Sequence, residues 1–281
     1  MSKPLTVAVT GANGAMGRVV LPRLLASESV ERVLALDLAA PELQDERVEF
    51  APIDLTRPTA DRDIVQALDG QRIDALVHLA FFSSQIRNGA YAHEVEALGT
   101  VHVLSACAEA KIRRLVMSGT TAVYGASPKN PNFLTEDAPL HGNPRSRFVS
   151  DKVEAEHQVR RFCQRHPGFE ATILRFAPVL GPTVQNPMTR FLQRSVAPVV
   201  FGYDPLMQFV HEEDAAEAVL LALLAERTGA FNIVGRGVLP LSNSIRLAGG
   251  MPMPIPHPWA RATLKTLSAA GILSTPPALL D

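Results

Sequence analysis

Three glycines at three-residue spacing, Gly11, Gly14 and Gly17, sit where the apolar run Val7-Ala8-Val9 gives way through Thr10 to the helix-compatible pattern Arg18-Val19-Val20-Leu21-Pro22-Arg23-Leu24-Leu25. A strand that turns directly into a helix leaves unpaired backbone N–H groups at the helix start, and glycine lets that backbone come close to a pyrophosphate. The loop from Gly11 to Gly17, with Asn13, Ala15 and Met16 between its glycines, is therefore a candidate cradle for a dinucleotide. A lone glycine triad is weak evidence. Here a second apolar run, Val33-Leu34-Ala35-Leu36, ends in Asp37 twenty residues beyond Gly17, where a carboxylate accepts hydrogen bonds from the adenosine ribose hydroxyls. Such a carboxylate repels the 2′-phosphate of NADP, so NAD is the expected cofactor. Arg18 is the one cation placed to reverse that preference.

Groups to move protons are scarcer. His141, in the loop Leu140-His141-Gly142-Asn143-Pro144, has an ordinary pKa of about 6.5, suited to general acid and base work; a solvated loop histidine is the alternative. Arg145 and Arg147 flank the start of a helical pattern, where they either grip an anionic substrate or lie in water. The eight histidines show no His-x-x-x-His or Cys/His ligand spacing, so no metal is expected. Ser118-Gly119-Thr120 lacks the Gly-x-Ser-x-Gly elbow, and Gly17 is followed by arginine rather than the lysine of a P-loop.

These residues need a frame. In 281 residues, apolar strand patterns near 5–10, 32–37, 48–51, 74–79, 113–118 and 170–176 alternate with helical patterns near 15–26, 60–69, 89–110 and 147–165. That alternation implies an α/β fold, a doubly wound parallel sheet of Rossmann type, with ligands beyond the carboxyl ends of the strands. We expect a dinucleotide-binding domain over 1–177 and a small, interleaved substrate lobe over 178–281. The lobe holds a strand at Gln208-Phe209-Val210, a helix over 211–226, a polyproline-like segment over 251–258 and an amphipathic helix from Trp259 to Leu273. A net charge of −1 without basic runs argues against nucleic acid or an anionic membrane as partner. No apolar run reaches the roughly 18 residues of a membrane span. Cys107 and Cys163 fall in helical patterns, as packed and reduced thiols would, and a cytoplasmic protein is expected.

Further segments bring a resemblance. Asp54-Leu55, Val77-His78-Leu79-Ala80, Gly99-Thr100, Arg113-Arg114-Leu115-Val116-Met117-Ser118, Ala122-Val123-Tyr124-Gly125, Leu174-Arg175-Phe176, Gly181-Pro182 and Phe209-Val210-His211 follow one another in the order found in the extended short-chain dehydrogenase/reductase family. Over residues 5–235 the chain resembles that family's NAD-dependent epimerases and dehydratases. The resemblance implies that Asp54 and Leu55 meet the adenine, that the backbone of Leu79 and Ala80 lines the cofactor, and that Lys152 binds the nicotinamide ribose. It places Thr120 at the catalytic Ser/Thr position and Tyr124 in the pocket lining. It also implies a homodimer through helices 89–110 and 147–165, with Val95, Leu98, Val101, Val153 and Val159 at the contact or in the core. Many relatives have further lobe elements, so a chain ending at Asp281 is expected to be a short form or a piece.

One departure matters most. The family's Tyr-x-x-x-Lys reads Phe148-Val149-Ser150-Asp151-Lys152 here. Residues four apart share a helical face, where the ammonium lowers the phenol pKa. Phe148 keeps the ring and deletes the acid, leaving Tyr124 or His141 as substitutes. Nucleotide-sugar enzymes of the family also place a cation before the Phe-Val-His strand and an Asn near position 178; this chain has Leu206-Met207-Gln208 and Pro178. Met188, Phe191, Leu192, Phe201, Tyr203 and Met207 suggest instead an apolar substrate wall, or a lobe core. Two functions stay open. One is an NAD-dependent oxidoreductase or epimerase acting on a small, largely apolar carbonyl or alcohol with an altered acid/base site, with a nucleotide-sugar epimerase or dehydratase as its variant. The other is a cofactor-binding sensor or scaffold without turnover.

Overall fold

The computed structural model describes residues 3–82, 89–125, 130–143, 146–225 and 227–256. β1 (Leu5–Thr10) carries Val7, Ala8 and Val9 fully buried, apolar on both faces as a central parallel strand must be. α1 (Gly17–Leu25), β2 (Val30–Asp37), β3 (Val48–Pro52), α2 (Ala60–Leu68) and β4 (Ala75–His78) follow. In α2 the buried residues Ala60, Ile64 and Leu68 form one stripe at four-residue spacing. The next helix comes in three parts: α3 (Gly89–His93), a π-helical turn (Glu94–Leu98) and α4 (Gly99–Glu109). β5 (Arg114–Thr120) ends in a 3₁₀ turn (Thr121–Tyr124), after which come α5 (Arg147–Arg165) and β6 (Glu170–Phe176).

The remaining elements are shorter: β7 (Val179–Leu180), α6 (Pro187–Leu192), β8 (Val196–Val200), β9 (Leu206–Met207), β10 (Val210–His211), α7 (Glu212–Leu224), β11 (Gly229–Ile233), β12 (Leu239–Pro240), α8 (Leu241–Leu247) and β13 (Met251–Ile255). The main sheet has seven strands in the order β11-β6-β5-β4-β1-β2-β3, every pair parallel. The chain builds outward from β1 through β2 to β3, then crosses to the other flank with β4. The order thus reverses between β1 and β4, and the crevice above their carboxyl ends is the expected ligand position. Side chains alternate faces along each strand: Val7 and Val9 pack with Leu21, Leu24 and Leu220 of α1 and α7, while Ala8 joins Ile64, Leu104 and Val159 of α2, α4 and α5. Truncating a fully buried leucine such as Leu24 to alanine costs about 2–5 kcal/mol.

Several expected boundaries move. The division at residue 177 is crossed, because α7 packs on α1 and β11 forms an edge of the main sheet. The single helix expected over 89–110 is interrupted by the π turn, the strand at 208–210 is Val210–His211, and α7 ends at Leu224. The proline-rich segment is extended but not solitary: with Pro252 and Pro254 on alternate positions, the N–H groups of Met251, Met253 and Ile255 remain, and β13 pairs in parallel with β8. His257, Pro258 and the helix expected from Trp259 lie outside the described residues. Leu192, Ala197 and Ile245 form a small lobe core, with Met188 and Phe191 packed on it. α6 is fixed there by a capping box, Asn186 accepting from Met188 and Thr189 N–H while Thr189 Oγ1 accepts from Asn186 N–H.

Candidate functional site

The glycine loop closes the crevice by backbone contact. Gly11 has φ +71°, and a Cβ there would stand 2.6 Å from Ala80 N and 2.7 Å from the Leu79 carbonyl carbon, so only glycine lets the end of β1 meet the end of β4. A Cβ on Gly17 would collide with the carbonyl oxygens of Gly11 and Ala12, and one on Gly14 would press on Gly11 O at 3.1 Å. Gly14 N donates to Gly11 O and Arg18 N to Gly14 O, both at 3.0 Å. No side chain caps α1 at Met16, and Ala15 and Met16 are half-buried. Asn13 Oδ1 is buried with no partner among the described residues. Close backbone packing and an orphaned amide oxygen fit a bound dinucleotide.

Asp37 ends β2 beside the glycine loop. Its Oδ2 accepts from Asn13 N at 2.9 Å and its Oδ1 from Leu38 N at 2.7 Å, leaving lone pairs on both oxygens. Arg18 donates to Asn13 O at 3.1 Å and forms an exposed ion pair with Glu42 at 3.1 Å. Asp54 Oδ1 accepts from Thr56 N and Thr56 Oγ1, which fixes the turn after β3. Leu55 beside it is buried against Gly99, and Leu79 N donates to Thr10 O.

The other end of the crevice brings together Lys152, Phe148 and two groups not foreseen. Lys152 Nζ is 3.1 Å from Glu96 Oε1 and lies over the rings of Phe148 and Phe81, 4.7 and 4.9 Å from their centroids. Lys152 is 7% exposed and Glu96 0%. Phe82 N also donates to Glu96 Oε1 at 2.9 Å, whereas Glu96 Oε2 has no partner among the described residues. Burial pushes the Glu96 carboxyl above its ordinary value and Asp151 adds to this, while Lys152 and the Phe82 N–H pull it back. Thr120 ends β5 half-buried, its hydroxyl accepting from Ala122 N at 3.2 Å.

His78 is fully buried below, with Nδ1 2.6 Å from Thr10 Oγ1 and Nε2 3.3 Å from Thr100 Oγ1. Burial, with Lys152 nearby, lowers its pKa to about 3, so the imidazole is neutral. Asp151, beside Lys152 on α5, bonds His93 Nδ1 at 2.7 Å and lies 3.9 Å from Arg147 Nε.

The Tyr124 hydroxyl is engaged by two partners. It is buried, its hydroxyl donates to Asn232 Oδ1 and accepts from Arg175 Nη1, each at 2.6 Å, and Arg175 is itself paired with buried Glu156. The hydroxyl serves a core network that ties β6 to β11. His141 lies exposed on its loop, and Arg147 is exposed at the start of α5. Arg145 falls outside the described residues. The apolar wall divides: Leu192, Met188 and Phe191 belong to the lobe core, whereas Phe201 and Tyr203 are exposed. Of the contact positions expected between copies, Leu98 and Val101 are exposed, Val95 and Val153 half-buried, and Val159 is in the core. Among the described residues no cluster of three His, Cys, Asp or Glu could hold a metal ion, and no helix is long and apolar enough to cross a membrane.

Sequence reasoning missed Glu96. The available signal was an acid within Val95-Glu96-Ala97-Leu98, an otherwise apolar stretch, since a buried charge needs a partner.

A seven-stranded parallel sheet with a glycine cradle at its switch point defines a Rossmann-type dinucleotide-binding protein of the extended short-chain dehydrogenase/reductase class. The chain belongs to the NAD dependent epimerase/dehydratase family, whose model matches residues 7–234. An uncharacterized protein of Mycobacterium tuberculosis is 34% identical over 271 residues, covering 93% of this chain and 71% of that protein. The UDP-glucose 4-epimerase of Azospirillum brasilense is 28% identical over 266 residues, covering 82% and 73%. The fold is that of the Thermus thermophilus UDP-glucose 4-epimerase solved with NAD, with a TM-score of 0.75 at 24% identity over 90% of this chain and 86% of that one.

Proposed function

We propose that the protein binds NAD and uses it for hydride exchange at a secondary alcohol or its ketone, as an epimerase, dehydratase or related oxidoreductase. The single observation that carries this reading is the crevice itself, with a glycine cradle and Asp37 at one end and Lys152 with Thr120 at the other. Bound NAD supplies the hydride acceptor. The N–H groups after Gly11 hold the diphosphate, Asp37 the adenosine ribose and Lys152 the nicotinamide ribose. Thr120 Oγ1 donates to a substrate oxygen.

For substrate, the nucleotide-sugar class is at least as well supported as a small apolar one. Its relatives include a UDP-glucose 4-epimerase, and half of the apolar wall that favoured a small apolar substrate is lobe core. Phe148 favours a second reading, a cofactor-binding protein without turnover. We also propose a homodimer through the faces that carry Leu98 and Val101, checked by sedimentation.

The test titrates NAD into the protein by calorimetry, then follows a panel of nucleotide sugars and small apolar alcohols and ketones by nucleotide absorbance and product NMR. Binding with turnover supports the enzyme. Binding without turnover on the whole panel selects the second reading, and failure to bind NAD overturns both.

A further inference from the structure

Most of the large apolar side chains left exposed among the described residues lie beyond residue 195, in the lobe. There β8 and β13 form a sheet of their own, two strands with no third among the described residues, and such a pair is marginal in water unless it packs on something. Its inner face is packed: Ala197 is fully buried and Val199 lies on the lobe core with Leu192 and Ile245. Its outer face is not. Alternation along the strands, with the parallel register, sets Val196 opposite Met251, Pro198 opposite Met253 and Val200 opposite Ile255 on that face. All six are apolar. Val196, Met251 and Met253 are 44%, 63% and 47% exposed, although a sheet face turned to water ordinarily carries polar side chains. Phe201, exposed at the end of β8, is tied to β13 by its N–H on Ile255 O at 2.9 Å. Contiguous apolar surface of this kind marks a docking site.

We propose that the chain's own segment from Trp259 to Leu273 covers this face as an amphipathic helix. The tether singles out this occupant: β13 ends at Ile255, and only Pro256, His257 and Pro258 precede Trp259. A segment joined so closely competes for the face at an effective concentration on the order of millimolar. Pro258 suits the entry to a helix, where its missing N–H costs nothing.

The pattern fits as well. In a helix from Trp259, the residues Ala260, Leu264, Leu267 and Ala270 fall on the face of Trp259, while Arg261, Lys265 and Ser268 fall on the other. The first face is apolar like the sheet it would meet, and the two cations stay in water. Fifteen helical residues span about 22 Å, enough to cross a five-residue strand pair about 17 Å long. Covering the sheet gives the small lobe a second apolar layer, and it requires neither NAD nor turnover.

Trp259 is the chain's one tryptophan, so fluorescence of the full chain reads this segment alone. Blue-shifted emission and weak quenching by acrylamide are expected, both unchanged along a dilution series followed by sedimentation. Met253→Glu, which a water-facing strand position would tolerate, and Leu264→Glu, which leaves the sheet untouched, should each shift the emission to the red and raise quenching several-fold, with the far-UV circular dichroism of the fold retained. Where a glutamate variant fails to fold, Met253→Ser or Leu264→Ser takes its place, with the same direction expected. Solvent-like emission from the wild type, or shielding that a folded variant at either position leaves unchanged, overturns the proposal. Shielding lost on dilution also overturns it and assigns the face to a second copy. Shielding that appears only on adding phosphatidylcholine vesicles overturns it in favour of a lipid surface.

Discussion

If Asp37 faces the adenosine ribose, the wild type should prefer NAD, and Asp37→Asn should bring the affinities for NAD and NADP close together. The carboxylate is held by Asn13 N–H and Leu38 N–H, so its position survives the change while its charge does not. Two opposing effects set the wild-type preference. A 2′-phosphate placed about 5 Å from the carboxylate, with a charge near −1.5 to −2 and a partly aqueous effective dielectric, is repelled by about 1.5–2.5 kcal/mol, or roughly ten- to seventyfold. Arg18 could attract the same phosphate, but it lies on the exposed side with Glu42 already in contact, their side chains 46% and 77% exposed. Exposed pairs of this kind contribute about 0–1 kcal/mol. Repulsion wins. Calorimetric titration of both cofactors at fixed ionic strength should show Asp37→Asn losing NAD affinity about ten- to hundredfold, as charge-assisted bonds to the ribose weaken. The NAD:NADP ratio should fall at least about tenfold, whereas Glu42→Gln, which frees Arg18, should raise NADP affinity by no more than about threefold. Equal or tighter binding of NADP by the wild type, or an unchanged ratio in Asp37→Asn, would refute this reasoning.

Gly17→Ala must push its Cβ against two backbone carbonyls; it should destabilise the fold by about 1–3 kcal/mol and abolish measurable NAD binding, read by thermal melts and calorimetry. Lys152→Ala should weaken NAD about ten- to hundredfold, and wild-type affinity in that variant would show that Lys152 does not reach the ribose. Phe148→Tyr should raise kcat on a panel substrate by about 100-fold, read by nucleotide absorbance; no gain with NAD binding intact would show that the missing hydroxyl does not limit turnover. His78 favours its neutral form when folded, with a pKa of about 3 against 6.5 in the unfolded chain. Below pH 6.5 only the unfolded state takes up this proton, so stability should decline as pH falls toward 3, by up to about 4 kcal/mol. Melts of His78→Asn should show a shallower acid slope.

What the sequence makes legible here is local. The central strands read as uninterrupted apolar runs because they are buried on both faces, and the glycine loop reads as a cradle because backbone approach demands its glycines. β11 was not legible: Gly229-Ala230-Phe231-Asn232-Ile233 is a half-buried edge strand whose glycine and asparagine resemble a loop, and only pairing with β6 defines it. The partners of Tyr124 were not legible because its direction depends on a 3₁₀ turn and on Arg175, 51 residues later. Glu96 was missed for a similar reason, since a π turn is invisible in a residue pattern and its partner lies 56 residues away.

The least legible feature joins the two ends of the crevice. Thr10, the last residue of β1 and the neighbour of Gly11, bonds His78; His78 lies against Thr100, and Thr100 Oγ1 donates to Glu96 O at 2.6 Å. Three short contacts thus run from the start of the glycine loop to the π turn that aims Glu96 at Lys152. Because the imidazole is neutral, one of its nitrogens donates and the other accepts, so the hydroxyls on either side are ordered by a single tautomer. Loss of the ring would remove the side-chain partner of Thr10 at the cradle and leave Thr100 Oγ1 with its bond to Glu96 O alone. These contacts place His78 between the glycine loop and the π turn, so His78→Asn should weaken NAD binding in calorimetry, and wild-type affinity in that variant would show that the loop holds its shape without the ring.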